Sequence, residues 1–208
     1  MKKFCVVLCF FLISSALKAQ LVNGYGIKLG MGITNHTWHY NSADFDFHWD
    51  NHSGISARAF ADFLNFSNFN IEGEIGYLQK GARLDVFTTT VENPDPVKRK
   101  LTNCLDYLSA SLMGKTKYNL GMFTPYILLG PQFNYLAGKD VEFLLVGPYN
   151  HFKKSIFGYT AGTGTELKIM SLNFLVEYRF EKDLTNNYDL PMLDIKNYSH
   201  SVLIGVKF

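Results

Sequence analysis

Four stretches of the chain alternate apolar and polar residues with a period of two. Over residues 25–34, Tyr25, Ile27, Leu29, Met31 and Ile33 share one face, and Gly26, Lys28, Gly30, Gly32 and Thr34 the other. Residues 69–77 set Phe69, Ile71, Ile75 and Tyr77 against Asn70, Glu72, Glu74 and Gly76. Residues 172–181 set Leu172, Phe174, Val176, Tyr178 and Phe180 against Asn173, Leu175, Glu177, Arg179 and Glu181. The chain ends with Val202, Ile204, Val206 and Phe208 against Ser201, Leu203, Gly205 and Lys207. Successive side chains of a strand point to opposite sides, whereas in a helix residues two apart lie nearly opposite each other. The pattern predicts strands. Residues 54–64, 101–118, 123–138 and 157–168 alternate less cleanly, and bring the expected number to eight. Pro125 and Pro131 each remove a ladder hydrogen bond, so they are expected at a strand start, an edge-like position or a bulge.

The connections alternate in length. Short ones are expected at 65–68, 119–122 and 169–171, and long ones at 35–53, 83–100, 139–156 and 182–198. An antiparallel meander collects the long loops at one end and the short turns, with both termini, at the other. That asymmetry is the habit of transmembrane barrels. A tilted strand of about 9–11 residues crosses a bilayer, and closing the sheet pairs every backbone group where no water reaches. Tyr25, Tyr77, Tyr178 and Phe208 fall at or near strand ends, where aromatic girdles form. The expected fold is all-β: an eight-stranded antiparallel up-and-down transmembrane β-barrel over residues 20–208. A soluble lipocalin-like barrel or sandwich would show the same period with its faces reversed, so period alone does not separate the two.

The N-terminus adds a discriminating feature. Met1-Lys2-Lys3 is a short cationic start, residues 4–17 are mostly apolar, and Lys18-Ala19-Gln20 breaks the run. This is the three-part anatomy of a secretory signal peptide, with cleavage expected after Ala19; the apolar run is short for a membrane-spanning helix. Removing residues 1–19 takes Lys2, Lys3 and Lys18 and leaves 17 basic against 18 acidic residues. Cys5 and Cys9 leave with it. Cys104 then remains alone, so no internal disulfide braces the exported chain.

Composition narrows the classes further. Among 208 residues, charged side chains make up 18% and the formal net charge is +2, which gives no basic surface for nucleic acid. Aromatic residues reach 15%, with 18 Phe and 12 Tyr, a mixture that favours strands.

The chain resembles the small outer-membrane β-barrel proteins of Gram-negative bacteria described as PorT-like. The resemblance rests on residues 26–33, on residues 72–82 with Tyr77-Leu78-Gln79-Lys80-Gly81 the most specific part, and on Pro125-Tyr126-Ile127-Leu128-Leu129-Gly130-Pro131. Val176-Glu177-Tyr178-Arg179-Phe180 and Gly205-Val206-Lys207-Phe208 complete it. Residues 107–112 depart from it, lacking the proline-containing stretch usual there, which leaves the register of the strand at 101–118 open. The resemblance implies the barrel fold and the cell outer membrane, and makes the C-terminal strand ending in Phe208 part of the signal read by the barrel-insertion machinery. It carries over no catalytic residue.

With the polar faces inward, the lumen would receive Lys28, Arg58, Asp62, Glu72, Glu74, Glu166, Glu177, Arg179 and Lys207. An eight-stranded barrel is just wide enough for side chains to fill, so the mixed signs are expected to neutralise one another as a salt-bridge plug. His36, His39, His48 and His52, with Asp44, Asp46 and Asp50 among them, form the most metal-like cluster. In extended chain, however, residues three apart face opposite ways and residues four apart stand about 13 Å from each other. Trp38, Tyr40, Phe45, Phe47 and Trp49 in the same region suggest an aromatic surface for lipid headgroups, glycan or protein. His200-Ser201 is an adjacent pair of a lipid-modifying type, and adjacent strand residues diverge. Lys98-Arg99-Lys100 reads as a solvated loop face near anionic lipopolysaccharide. No nucleophile elbow, phosphate-cradling glycine loop or cysteine-rich zinc spacing occurs. The expectation is therefore a non-enzymatic outer-membrane structural, adhesion or binding module, with no catalytic, cofactor-binding or metal residue assigned and no nucleic-acid partner. Its expected partners are outer-membrane lipids and lipopolysaccharide, and a protein or glycan ligand at the long loops. The alternatives are a lipid-modifying enzyme and a narrow small-solute pore.

Overall fold

A computed structural model describes residues 22–40, 45–48, 50–88, 97–141, 151–189 and 193–208. Residues 1–21, which carry the expected signal peptide, lie outside them. The described residues form nine strands: β1 (Val22–Tyr40), β2 (Phe45–His48), β3 (Asp50–Phe66), β4 (Phe69–Thr88), β5 (Val97–Lys117), β6 (Phe123–Val141), β7 (Ser155–Ile169), β8 (Leu172–Asp183) and β9 (Leu193–Lys207). Among the described residues there is no helix. β2 and β3 are separated by residue 49 alone and both pair with β1, so they form one stave. β1 closes the ring on β9, and every neighbouring pair is antiparallel. The result is an eight-stranded up-and-down barrel.

The period-two rows sort as a membrane demands. Ile27, Leu29, Met31 and Ile33 are 51–66% exposed on the outer wall, while Lys28 between them has no exposed surface. Ile75, Leu108, Leu112, Ile127, Leu129, Val202 and Ile204 continue the outer apolar band around the wall. Polar residues fill the inside. A water-soluble barrel inverts this order, so the soluble alternative is excluded by the direction of the rows.

Both termini and the short turns share one end. Phe208 donates its N–H to the Tyr25 carbonyl at 2.8 Å, and the two rings meet with centroids 5.8 Å apart. At the other end the strands run on far beyond the apolar band. Most of the described residues expected in long loops are strand instead: β1 continues to Tyr40, and β4 and β5 pair as far as Thr88 opposite Val97. The apolar-out alternation stops at the edge of the band, because the outer face of the extension no longer meets lipid, and the backbone ladder continues without it.

Two further expectations are corrected or resolved. Pro125 sits near the start of β6 as expected, but Pro131 lies in mid-strand opposite Tyr159, with no bulge there. The β5–β6 pairs step from Ser111 opposite Gln132 to Gly114 opposite Leu129 in unchanged register, so the ladder omits its rungs locally rather than kinking. The open register of the strand at 101–118 is settled too: β5 pairs with β4 without a shift from Thr116 opposite Phe69 onward.

Candidate functional site

The lumen is an ionic lattice. All nine charged residues expected there are buried. Lys28 Nζ donates to Glu72 at 2.6 Å, Glu74 at 2.7 Å and Glu177 at 2.9 Å. Arg179 bridges Glu74 and Glu177, and Arg58 Nη2 reaches Glu181 at 2.6 Å. Toward the short-turn end Lys115 pairs with Glu72 at 2.9 Å and Glu166 at 2.8 Å, and Lys207 pairs with Asp62. Aromatic rings insulate the cations: Phe60 lies 4.7 Å from Lys28 Nζ and Tyr126 4.2 Å from Lys115 Nζ. Desolvated charges persist only when paired and hydrogen-bonded, and this lattice meets that condition with strands from around the ring.

Four further charges share the lumen beyond those the sequence pattern assigns: Lys80, Lys115, Glu181 and Asp183. Lys80 meets Asp183 at 2.9 Å, one storey above the Arg58–Glu181 pair. Glu181 has a signal in the chain, since it continues the row of Glu177 and Arg179. Lys115 has none, because the inward row of β5 mixes Leu101, Asn103, Leu105, Tyr107, Ser109, Ser111 and Met113.

Above the lattice the barrel mouth is apolar. Trp38, Leu105, Tyr107, Phe152, Ile156, Tyr188 and Ile195 pack into one buried cluster. Trp38 thus belongs to the interior and not to an exposed aromatic surface, because the even positions of β1 still face inward this high. Tyr40 is exposed. The side chains of Phe45, Phe47 and Trp49 lie outside the described residues.

Among the described residues the histidines do not converge. His36 points inward and pairs with Asn197, and His39 occupies the opposite face of β1. His52 reaches Cys104, with Nε2 3.4 Å from Sγ. The side chain of His48 lies outside the described residues. Among the described residues no group of three or more His, Cys, Asp or Glu side chains is placed to hold a metal ion. His200 and Ser201 also part: His200 is on the outer wall, its Nδ1 hydrogen-bonded with Tyr178 Oη at 2.7 Å, while Ser201 is buried inside.

The outer wall changes character where the apolar band ends. Tyr135, Phe157 and Tyr178 mark that level, half exposed to the surroundings, and Phe180 and Tyr198 flank His200 with centroids 5.0 and 6.1 Å away. On β4 and β5, Tyr77 and Gln79 both donate to Asp106. Next above them stand Cys104 and His52, beyond the band. Burial pushes the Cys104 thiol up, and Asp140 and Asp106 push it further. Burial lowers the His52 pKa, with the Arg83 cation adding to it. Thiol and imidazole are both neutral, a hydrogen-bonded pair and not an activated nucleophile. The sequence carries no signal for this pair, since the register joins residues 52 positions apart.

A family model for the outer membrane protein beta-barrel domain matches residues 4–208. No curated protein matches the sequence. Among solved structures, the chain is similar to the outer membrane protein OprG of Pseudomonas aeruginosa, at 12% identity and TM-score 0.53, covering 91% of this chain and 97% of that one. It is also similar to Ail, the attachment invasion locus protein of Yersinia pestis, at 15% identity and TM-score 0.44, covering 89% and 98%. The outer membrane enzyme PagL follows at 12% identity and TM-score 0.39, covering 84% and 97%. At these identities the likeness concerns the fold alone.

Proposed function

The chain belongs to the outer membrane protein beta-barrel family, and from that premise we propose a non-enzymatic, non-conducting barrel that presents a binding or adhesion surface outside the cell. The observation that carries this reading is the filled lumen: an ionic lattice in mid-barrel, then an apolar seal of Trp38, Tyr107 and Ile195. A barrel closed in this way serves as an anchor. What it anchors are the strand extensions. From Tyr77 to Thr88 the β4–β5 ribbon climbs roughly 35 Å along the strand beyond the apolar band.

The PorT-like grouping is part of this reading, resting on Tyr77-Leu78-Gln79-Lys80-Gly81, as are delivery by cleavage after Ala19 and insertion guided by Phe208. The ligand at the ribbon tips is a protein or glycan. The neutral thiol–imidazole pair and the divergence of His200 from Ser201 weigh against a lipid-modifying enzyme.

Planar-bilayer recording tests the closed barrel. Purified protein is expected to insert without steady current, and a sustained single-channel conductance refutes the anchor in favour of a pore. Cells producing the full chain are then compared with cells producing a form trimmed between Arg83 and Leu101. Loss of binding to glycan or matrix-protein arrays in the trimmed form supports the module, and identical array profiles refute it.

A further inference from the structure

One seam of the ring comes apart at its upper end. β3 meets β4 as high as Asp50 opposite Arg83, and from Leu84 to Thr88 β4 climbs on, paired with β5. The strand beside it at that height is β2, which pairs with β1. Continuing the register of Asp50 and Arg83 would set His48 opposite Asp85 and Phe45 opposite Thr88. Among the described residues neither pair forms. Two bulges account for the parting. Between His48 and His52 the β2–β3 stave carries one residue more than β1, and between Asn51 and Ser56 one more than β4. An extra residue bends its strand and breaks the ladder locally.

The β4 edge at this seam has a definite chemistry. In an antiparallel ladder alternate residues turn their N–H and C=O away from the paired strand, so part of the Leu84–Thr88 backbone faces the seam. Such an edge is a template for another strand. On the inner face, Leu84 packs against the apolar seal. On the outer face stand Arg83 and Asp85 of β4, Asp50 opposite Arg83, and Lys98 and Lys100 across on β5. Lys98 pairs with Asp85 at 2.7 Å, whereas Lys100 is exposed. Arg83 Nε has no hydrogen-bond partner among the described residues. The outer row therefore holds one cation more than its acids.

We propose that this edge captures an extended segment of a partner protein by strand addition, the segment alternating apolar and acidic residues. Main-chain hydrogen bonds to β4 hold it, and alternate side chains set the choice. Apolar ones turn inward beside Leu84, and acidic ones turn outward toward Arg83 and Lys100, where opposite charges on neighbouring strands favour the pairing. A second copy of the barrel fits less well, because it brings the same cationic row to the seam. A glycan has no chain of amides with which to complete a ladder. The inference rests on the reading of the strand extensions as a binding surface, and names the kind of ligand and how it is held.

Fluorescence anisotropy on the folded full barrel in detergent tests it, the probe being a labelled, acetylated octapeptide of alternating valine and glutamate. Its valine–lysine counterpart is compared with it, as are two forms N-methylated on alternate amides, one for each edge of the peptide. The valine–glutamate peptide is expected to bind saturably, and the valine–lysine peptide about tenfold more weakly. One methylated form is expected to bind as the parent does and the other to lose binding. The double variant Lys98→Glu with Lys100→Glu, checked for folding by heat-modifiable gel mobility, is expected to invert the preference, which a misfolded barrel would not do. Absence of saturable binding, equal binding of the two methylated forms, or an unchanged preference in the double variant overturns the proposal. So does a barrel that dimerises and holds no peptide, which assigns the seam to a second copy. The form trimmed between Arg83 and Leu101 separates this from the broader reading. Array binding lost on trimming, with no peptide held by the full barrel, leaves the binding module and removes strand addition; array profiles unchanged on trimming remove the module itself.

Discussion

Lys28 Nζ lies 2.6 Å from Glu72 Oε1 in the lumen, and neither side chain has any exposed surface. The same ammonium also meets Glu74 and Glu177. One cation therefore serves three carboxylates, which otherwise face each other in a space without room for bulk water.

Lys28→Met is expected to be among the most damaging single changes in the barrel. It deletes the shared cation and leaves Glu72, Glu74 and Glu177 with Lys115 and Arg179 as their remaining close partners, a shortfall of buried positive charge, and breaking a buried pair from one side costs about 3–5 kcal/mol. Urea titration of the protein refolded into lipid vesicles reads this as a large drop in the unfolding midpoint. Met fills much the same volume as the lysine stem, so a packing defect does not account for the loss. A midpoint within error of the parent would mean that the lattice contributes little.

The outer wall makes a depth-dependent prediction. Leu29 lies mid-way along the apolar row from Tyr25 to Ile33, and both Leu29 and Ile33 are more than half exposed there. Arginine on the lipid face of a barrel costs about 2–4 kcal/mol at the midplane and about 0–1 near an interface. Leu29→Arg should therefore destabilise the vesicle-inserted barrel far more than Ile33→Arg. Equal effects at the two positions would show that this row does not cross a bilayer. The same pair of variants in detergent-free buffer separates the membrane barrel from any soluble form.

Much of this arrangement is legible in the chain, and the limits have physical causes. The rows of β1, β4, β8 and β9 are clean because one face meets lipid and the other charge, so alternation alone assigns Lys28, Glu72, Glu74, Glu177 and Arg179 to the lumen. β5 is harder, because its inward row carries Leu105, Tyr107 and Met113 as well as Lys115, and hydrophobicity then no longer distinguishes the faces. The strand extensions look like loops for a related reason. Past Tyr77 the run Gln79-Lys80-Gly81-Ala82-Arg83 has polar residues on both sides, and period carries no signal where both faces are polar. Trp38 escapes the pattern in a similar way, since an inward apolar seal breaks the rule of polar inside. The His52–Cys104 contact depends on long-range register, to which local pattern is blind.

Gly26 tests how tightly the staves approach. A Cβ there would overlap the Val206 carbonyl oxygen and lie 2.7 Å from the Phe60 ring. Phe60 must keep its place, because it covers the Lys28 ammonium. Gly26→Ala should therefore strain the β1–β9 seam and displace the ring, at a cost of about 1–3 kcal/mol as for other overpacked interiors. Gly121→Ala is the contrasting variant: nothing lies within 4 Å of that position, and its cost arises from a φ of +83° alone. Unfolding midpoints rank the two mechanisms. A silent Gly26→Ala would mean that the seam has slack.

Cys104 supplies a chemical readout of the rim. Burial raises its thiol pKa, and the negative charges of Asp140 and Asp106 raise it further. Alkylation proceeds through the thiolate, so a raised pKa means less reactive form at neutral pH and a rate that keeps climbing beyond the free-thiol midpoint of about 8.5. In a folded chain beginning at Gln20, where Cys104 is the single thiol, iodoacetamide should react more slowly at pH 7.5 than in the urea-unfolded chain. Asp140→Asn removes one of the charges that oppose ionisation. The midpoint of the pH–rate profile should then move down and the neutral rate up, with Arg83→Gln shifting it the other way because Arg83 favours the thiolate. A folded-state midpoint at or below that of the unfolded chain would contradict the neutral thiol–imidazole pair, and would reopen a nucleophilic role for Cys104.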